Sequence, residues 1–238
     1  MIFANVWATN AAADADSETL RISVDTKATV HVGDYSRGGQ SRGLTAVAAW
    51  DHDMRPKEKL VPGGILEPVS GKSFLFFGSS YKTSDFLADG LLLWWEQRQP
   101  ELSHIRHLVI NMDNGPEGNG HRSQFLYRMA EFADITGMVV QLVYYPPYHS
   151  KYNSIERFWA GLEKSWNGYL LDNVTTVLNR ASSFAWKGTQ PIVKLLDTVY
   201  EKGIKLCHKE KNALESRLSR STELPWWDIT IYPKMVFL

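Results

Sequence analysis

The sequence predicts an α/β fold, a mixed sheet flanked by helices, because segments of strand periodicity come first and then alternate with segments of helical periodicity. Residues 20–32 repeat apolar side chains with period two, which is typical of a half-buried strand. Residues 107–112 contain a continuous apolar run between two amphipathic helices, which is typical of a strand covered on both sides. With 238 residues, 44% of them hydrophobic, the chain is long enough for a sizeable core.

The other elements follow from local signals along the chain. Segment 43–72 is rich in proline and glycine, which predicts irregular structure with one strand near its start. Thr83 or Ser84 caps a helix that ends before Pro100, and Gly137 ends a second helix. The further predicted strands are 44–50, 73–78, 138–145 and 226–232. The further predicted helices are 123–136 and one from Ile155, followed by a mostly helical stretch to about Ser221.

Charge and cysteine content exclude several classes of protein. Lysine plus arginine and aspartate plus glutamate number 26 each, so DNA binding must rest on a local site and not on global charge. The single cysteine, Cys207, excludes an internal disulfide framework and a cysteine-rich zinc site, which indicates a reducing, cytoplasmic setting. No apolar run is long enough to span a bilayer, and the opening seven residues are too short and uncharged for a signal peptide, so no membrane partner is expected.

Three carboxylates are the candidate catalytic and metal-ligating residues. Asp25 lies on the first strand, on the parity opposite its apolar neighbours, and Asp113 ends the buried strand. Glu156 lies in the first turn of the helix that follows the next strand. Residues just past the carboxyl ends of strands line the functional crevice of an open α/β sheet. Carboxylates gathered there repel one another unless divalent cations compensate, and two such ions can drive phosphodiester chemistry.

Each carboxylate also has a structural interpretation that the residues alone leave open. Asp113 can hydrogen-bond its own Asp-Asn-Gly turn. The segment 153–156, Asn-Ser-Ile-Glu, resembles a capping box, in which Glu156 would satisfy a free N–H at the helix start. Asp25 can be an ordinary polar side chain on a partly exposed strand face.

Three segments resemble the acidic motifs of bacterial insertion-sequence transposases. Val143–Trp159 resembles the block in which a strand ends in Pro-Pro and Asn-Pro-Ile-Glu opens the catalytic helix. Asp113–Glu117 resembles the second acidic motif, and Ile22–Lys27 resembles the first. The resemblance is closest to the Rhodopirellula-type DDE transposase family, and it covers roughly residues 20–208.

This resemblance implies a ribonuclease H-like, integrase-type catalytic domain over residues 20–208. It would lie between a lead segment, 1–19, and a helical or extended tail, 209–238. In that family, residues in the places of Asp25, Asp113 and Glu156 hold two Mg²⁺ ions, for which Mn²⁺ substitutes. The implied function is Mg²⁺-dependent DNA strand cleavage at insertion-sequence ends, followed by strand transfer in which the freed 3′-hydroxyl attacks target DNA.

Two departures from the family pattern keep alternatives open. Ser154 stands where the family usually has proline, which loosens the predicted helix start. Only a short segment precedes the first strand, where the family places a helix-turn-helix DNA-binding region. The alternatives are a truncated, catalytically idle transposase remnant and another ribonuclease H-like nuclease.

Polar and basic residues around the predicted site are candidate DNA contacts. Lys151 and Arg157 are placed to contact phosphates, although solvated charges on a loop and a helix are the alternative. The full set of candidates is Lys27, His149, Lys151, Asn153 and Arg157. The expected partners are double-stranded DNA of transposon ends and target, a second copy of the chain as a dimer, and a separately encoded helix-turn-helix fragment. The expected location is nucleoid-associated, in a bacterial cytoplasm.

Overall fold

The computed structural model describes residues 1–40, 48–50 and 58–234, which fold around one mixed sheet. The strands are β1 (Thr19–Thr26), β2 (Val30–Val32), β3 (Glu58–Leu66), β4 (Ser73–Gly78), β5 (His107–Asp113), β6 (Val139–Tyr145), β7 (Ile192–Leu196), β8 (Leu218–Arg220) and β9 (Asp228–Ile231). The helices are α1 (Ile2–Ala15), α2 (Ser84–Leu102), α3 (Ser123–Thr136), α4 (Ser154–Ser165), α5 (Val174–Ser183) and α6 (His208–Glu215). None of the helices in these ranges is long and apolar enough to cross a membrane.

The sheet runs in the order β7-β4-β3-β1-β5-β6-β9-β8, and β2 pairs with β3 outside this path. At its centre, β1 is antiparallel to β3 and parallel to β5, and β5 is parallel to β6. Parallel neighbours need a covering connection, which α2 and α3 supply on one face of the sheet. This mixed sheet with flanking helices confirms the predicted α/β class.

Alternate residues of β1 divide the two faces of the sheet. Ile22 and Val24 pack in the larger core, under α2 and α3. Ser23 and Asp25 therefore face the opposite side, where α4 lies over β1 and β3. Helix α1 covers β5 and β6 on that same side, through a small cluster that includes Val109.

Phe76 fixes the distance between α2 and the sheet. Its ring lies between Gly63 of β3 and Gly90 of α2, and a Cβ would lie only 2.2 Å and 2.3 Å from it at these two positions. Since side chains cannot approach so closely, both positions need glycine. Because neither position carries a Cβ, α2 can bury a large aromatic ring against the strand.

Most of the predicted elements are confirmed within a few residues. Helix α3 has the predicted bounds, and Gly137 ends it in the left-handed conformation, with φ of 73°. Thr83 caps α2 by accepting a 3.2 Å hydrogen bond from the Phe86 N–H. Strands β4, β6 and β9 lie within the predicted segments, and β5 extends one residue beyond its segment, to Asp113.

The irregular structure predicted for 58–66 is wrong, because β3 pairs there with three other strands. Pro62 remains in the ladder opposite Phe77 of β4, and its carbonyl accepts a 3.0 Å hydrogen bond from the Lys27 N–H. The glycines that suggested a loop leave room for aromatic rings from both faces. Of the strand predicted at 44–50, residues 44–47 lie outside the described residues, and Trp50 forms an isolated bridge with Tyr35.

Three further expectations are corrected. The single strand predicted over 20–32 is two strands, β1 and β2, and α2 continues through Pro100 to Leu102. The mostly helical stretch to Ser221 contains β7, since β-branched Ile192 and Val193 pair along the edge of β4. Elements of the lead segment and of the tail also contact the sheet, since α1 packs on it and β9 pairs with β6, and the division into 1–19, 20–208 and 209–238 stays a prediction.

Candidate active site

The sheet register places two carboxylates side by side. Ser23 of β1 pairs with Asn111 of β5, and Asp25 and Asp113 stand two positions further along these parallel strands. Neighbouring strands lie about 4.8 Å apart, and residues two apart share a face. Both aspartates therefore stand at the carboxyl ends of their strands, on the face that α4 covers.

Ser23 joins the start of α4 to β1. Its Oγ accepts a 3.0 Å hydrogen bond from the Ile155 N–H and donates to Asn153 Oδ1. The Asn153 amide donates in turn to the Val24 carbonyl, at 3.4 Å. These bonds make the predicted capping box wrong, because a serine from the sheet caps α4 and the Asn153 side chain does not. The first turn of α4, with Glu156, is thereby fixed beside Asp25.

Trp159 lies one turn beyond Glu156 and orients Asp25. Its indole N–H donates to Asp25 Oδ2 at 3.2 Å. Gly64 is the cross-strand partner of Asp25, and a Cβ there would lie 2.7 Å from the Trp159 ring. The indole reaches the carboxylate because this position of β3 carries no side chain.

All three predicted carboxylates line one cavity of about 150 Å³. The loop 115–118 forms another wall, which is held by hydrogen bonds of 2.7 Å from Tyr144 Oη to the Gly118 carbonyl and from Ser84 Oγ to the Glu117 carbonyl. The lining residues are Asp25, Thr26, Lys82, Leu87, Met112, Asp113, Gly115, Pro116, Glu117, Gly118 and Glu156.

Sequence reasoning missed several residues of the site. Lys82 and Glu117 line the cavity, and their Nζ and Oε2 atoms are 4.0 Å apart. Glu117 lies inside the Asp113–Glu117 motif, whereas nothing in the local pattern marks Lys82. Trp159 falls on an apolar helix face, which predicts its burial but not its bond to Asp25.

Burial and mutual repulsion dominate the electrostatics of the cavity. Burial first, and then the neighbouring charges of Asp113 and Glu156, raise the pKa of Asp25 to about 7. Burial also raises the pKa of Asp113, against the opposing positive charge of Lys82. The cavity therefore favours protonated carboxyls unless cations neutralise it.

The donor set fits hard divalent cations. Carboxylate oxygens are the ligands that Mg²⁺ and Mn²⁺ prefer, and such ions would offset both the burial and the neighbouring negative charges that raise the pKa of Asp25. Across the described ranges, no three His, Cys, Asp or Glu side chains are grouped closely enough to hold one ion as they stand. Ligation by Asp25, Asp113 and Glu156 thus stays a prediction, and it needs their side chains to move inward.

The predicted DNA contacts fall into different environments. Lys151 and Arg157 are exposed, and Lys151 Nζ lies 5.4 Å from the centre of the Tyr152 ring. His149 packs edge-on against Phe3 of α1, with ring centres 5.2 Å apart. Lys27 forms an ion pair with a glutamate of α4, its Nζ 2.9 Å from Glu163 Oε2.

Asn153 is the exception among these candidates. Its side chain is 1% exposed, and its amide bonds to Ser23 and to the backbone of β1. A side chain committed to the interior cannot reach a phosphate, so its prediction as a DNA contact is corrected to a structural role in holding α4.

The topology and the acidic cavity define the class of the protein. An antiparallel β4–β3–β1 unit continued by parallel β5 and β6, with α4 bringing an acidic residue to the carboxyl ends of the strands, is the ribonuclease H-like arrangement that the sequence predicts. A family model described as the Rhodopirellula transposase DDE domain matches residues 1–233. The chain therefore belongs to this transposase family. A search of curated protein sequences finds no match for the chain.

Two solved structures share the fold. One is the Mos1 mariner paired-end complex with Mn, with a TM-score of 0.51 at 9% identity. The other is the Mos1 transposase paired-end complex with the left transposon end, with a TM-score of 0.50 at 8% identity. Each match covers 73% of this chain and 49% of the Mos1 chain, so this chain spans about half the length of these neighbours. At this identity the likeness confirms the ribonuclease H-like fold.

Proposed function

We propose that this chain is the catalytic domain of a DDE transposase, which cleaves DNA strands at insertion-sequence ends and joins them to target DNA in reactions that depend on a divalent metal. The observation that carries this proposal is the convergence of Asp25, Asp113 and Glu156 on one cavity in a chain of the transposase family. In-line phosphoryl transfer requires little more than positioned oxygens and neutralised charge.

Each acidic residue has a distinct support within the fold. Asp113 is fixed by its place at the end of β5, between β1 and β6. Asp25 is oriented by the Trp159 indole, and Glu156 by the bonds from Ser23 to the start of α4. Two Mg²⁺ ions, or Mn²⁺ in their place, would be held by these three carboxylates and would supply activation of the attacking oxygen and stabilisation of the leaving oxygen.

The decisive experiment replaces each acid in the full chain. We expect Asp25→Ala, Asp113→Ala and Glu156→Gln each to reduce Mn²⁺-dependent nicking of a plasmid by about 100-fold or more, with circular dichroism unchanged. Glu96→Gln, at an exposed position of α2, is the matched control and should nick at the wild-type rate. Wild-type nicking and wild-type Mn²⁺ affinity in the Asp113 variant would overturn the assignment.

The same assay separates the alternative functions. A catalytically idle remnant would bind Mn²⁺ through intact carboxylates and cleave none of the substrates. A different ribonuclease H-like nuclease would prefer RNA–DNA hybrids or junctions over duplexes that carry insertion-sequence ends. We expect the end-bearing duplexes to be cut fastest.

We propose that DNA approaches the cavity across the loop 146–153 and the start of α4, with Lys27, His149, Lys151 and Arg157 as its contacts. The exposure of Lys151 and Arg157 supports this path. Replacing either one with alanine should weaken duplex binding and reduce the salt dependence of the affinity by about one phosphate contact.

A second copy of the chain and a separately encoded helix-turn-helix fragment stay proposed partners in recognising DNA ends. Light scattering of the chain with end-bearing duplex tests the dimer, because paired ends would double the mass of the complex. Location in the cytoplasm, associated with the nucleoid, also stays a prediction.

A further inference from the structure

We infer that Lys82 is a further residue of the active site, which meets the charge of the phosphodiester that enters the cavity. The inference rests on the proposed function, and it assigns a role to a residue outside the three acidic motifs. Lys82 lies between β4 and α2, just before the capping residue Thr83, and it lines the cavity.

The charges that line the cavity support this role. Four carboxylates lie on its walls, those of Asp25, Asp113, Glu117 and Glu156, and among the lining residues in the described ranges Lys82 alone is basic. Two divalent cations would neutralise the four carboxylates. The positive charge of Lys82 would then be left to neutralise one phosphodiester group, so that the cavity with metal ions and DNA bound would carry no net charge.

The position of Lys82 would allow its side chain to leave Glu117 and contact a phosphodiester. Its Nζ is 4.0 Å from Glu117 Oε2, longer than a hydrogen-bonded ion pair, and its side chain is 37% exposed. It also acts electrostatically on both Asp25 and Asp113. Lys82 thus lines the cavity with a side chain that is partly open to solvent, and its ion pair with Glu117 is long.

Two measurements move in opposite directions if the inference is right. In Lys82→Met, loss of a positive charge that competes with metal ions should tighten Mn²⁺ binding about threefold to tenfold, as measured by electron paramagnetic resonance of the free ion. Plasmid nicking at saturating Mn²⁺ should fall about tenfold to 100-fold, because the phosphate loses its counter-charge. Lys82→Arg keeps the charge and should keep the wild-type Mn²⁺ affinity.

A matched control is Lys72→Met, which removes another lysine paired with a glutamate, its Nζ 2.6 Å from Glu101 Oε2, away from the cavity. It should change neither measurement. If Lys82→Met weakens Mn²⁺ binding or leaves it unchanged, the inference is wrong, since a merely structural lysine would lower both readouts or neither. If Asp113→Ala still binds Mn²⁺ normally, the proposed function fails instead, so the two failures are distinguishable.

Discussion

Two groups of three acidic side chains in this molecule differ in the positive charge that faces them. On α2 and α3, Arg128 forms ion pairs with Asp85 and Asp89, both at 2.6 Å, and with Glu131 at 2.8 Å. We call this group the Arg128 cluster. In the cavity, by contrast, Asp25, Asp113 and Glu156 line one space, and among its lining residues in the described ranges Lys82 alone is basic.

The difference separates acids that stabilise the fold from acids that await a ligand. The guanidinium of Arg128 forms an ion pair with each of the three acids of the Arg128 cluster, and Gln124 and Tyr200 donate further hydrogen bonds to Asp85 and Asp89. The cavity holds its carboxylates buried and close to one another, and burial first and then their mutual repulsion raise the pKa of Asp25. A site of this kind gains more free energy from cation binding than a cluster whose carboxylates are already paired with an arginine.

The largest expected effect on stability comes from breaking the Arg128 cluster. Arg128→Met should lower the free energy of unfolding by about 4 kcal/mol, since it leaves three neighbouring carboxylates without their cation. Urea denaturation measures the change. Adding Asp85→Asn and Asp89→Asn to the same chain should recover most of the loss. A loss below about 1 kcal/mol would mean that the cluster is no more stabilising than a surface ion pair.

Removing a charge from the cavity should instead raise the free energy of unfolding. In the unfolded chain Asp25 ionises near pH 4, but in the folded chain only near pH 7, so the folded state binds more protons between these values and loses stability as pH rises through them. Asp25→Asn should therefore stabilise the metal-free chain by about 3 kcal/mol at pH 8 and by little at pH 4.

The control for this pH dependence is a carboxyl whose pKa is lowered in the folded chain. Hydrogen bonds from Thr19 and Glu18 lower the pKa of Asp16, so its contribution to stability is present at neutral pH and is lost on acidification. Asp16→Asn should thus destabilise the chain at pH 8. Thermal melts from pH 4 to pH 8 measure how the stability of each variant depends on pH. An equal pH dependence for Asp25→Asn and wild type would contradict the raised pKa of Asp25.

A smaller effect is expected from filling the space beside Asp25. Gly64→Ala should cost about 2 kcal/mol, because its Cβ would lie 2.7 Å from the Trp159 ring and would displace the indole from Asp25. Trp159→Leu removes the obstructing ring, so the double variant should cost less than the sum of the single ones. Strict additivity in urea denaturation would show that the ring and the glycine are independent.

Much of the fold follows from periodicity, and the misses have physical causes. The apolar run of β5 and the capped, amphipathic α3 are local signals, so both are predicted nearly to the residue. Strand β3 is missed because Gly63 and Gly64 make room for aromatic rings from other elements and do not form a local turn. Tertiary packing of this kind leaves no mark in the neighbouring sequence.

The site, like the fold, has residues that the sequence predicts and residues that depend on tertiary structure. Its acidic residues lie in motifs that resemble a known family, so their positions are predicted from sequence. The true cap of α4 comes from Ser23, 132 positions away from Ile155, which no local capping rule could identify. Lys82 reaches the cavity only because of how α2 begins on the sheet, so its place too depends on the three-dimensional structure.

The ring of Phe76 between two glycines has an evolutionary consequence. Since neither Gly63 nor Gly90 can gain a Cβ while the ring is present, the three positions are free to change only together. In related sequences, alanine at either glycine position should occur with a side chain smaller than phenylalanine at position 76. Covariation of this kind would record the thickness of the α2 layer over the history of the family.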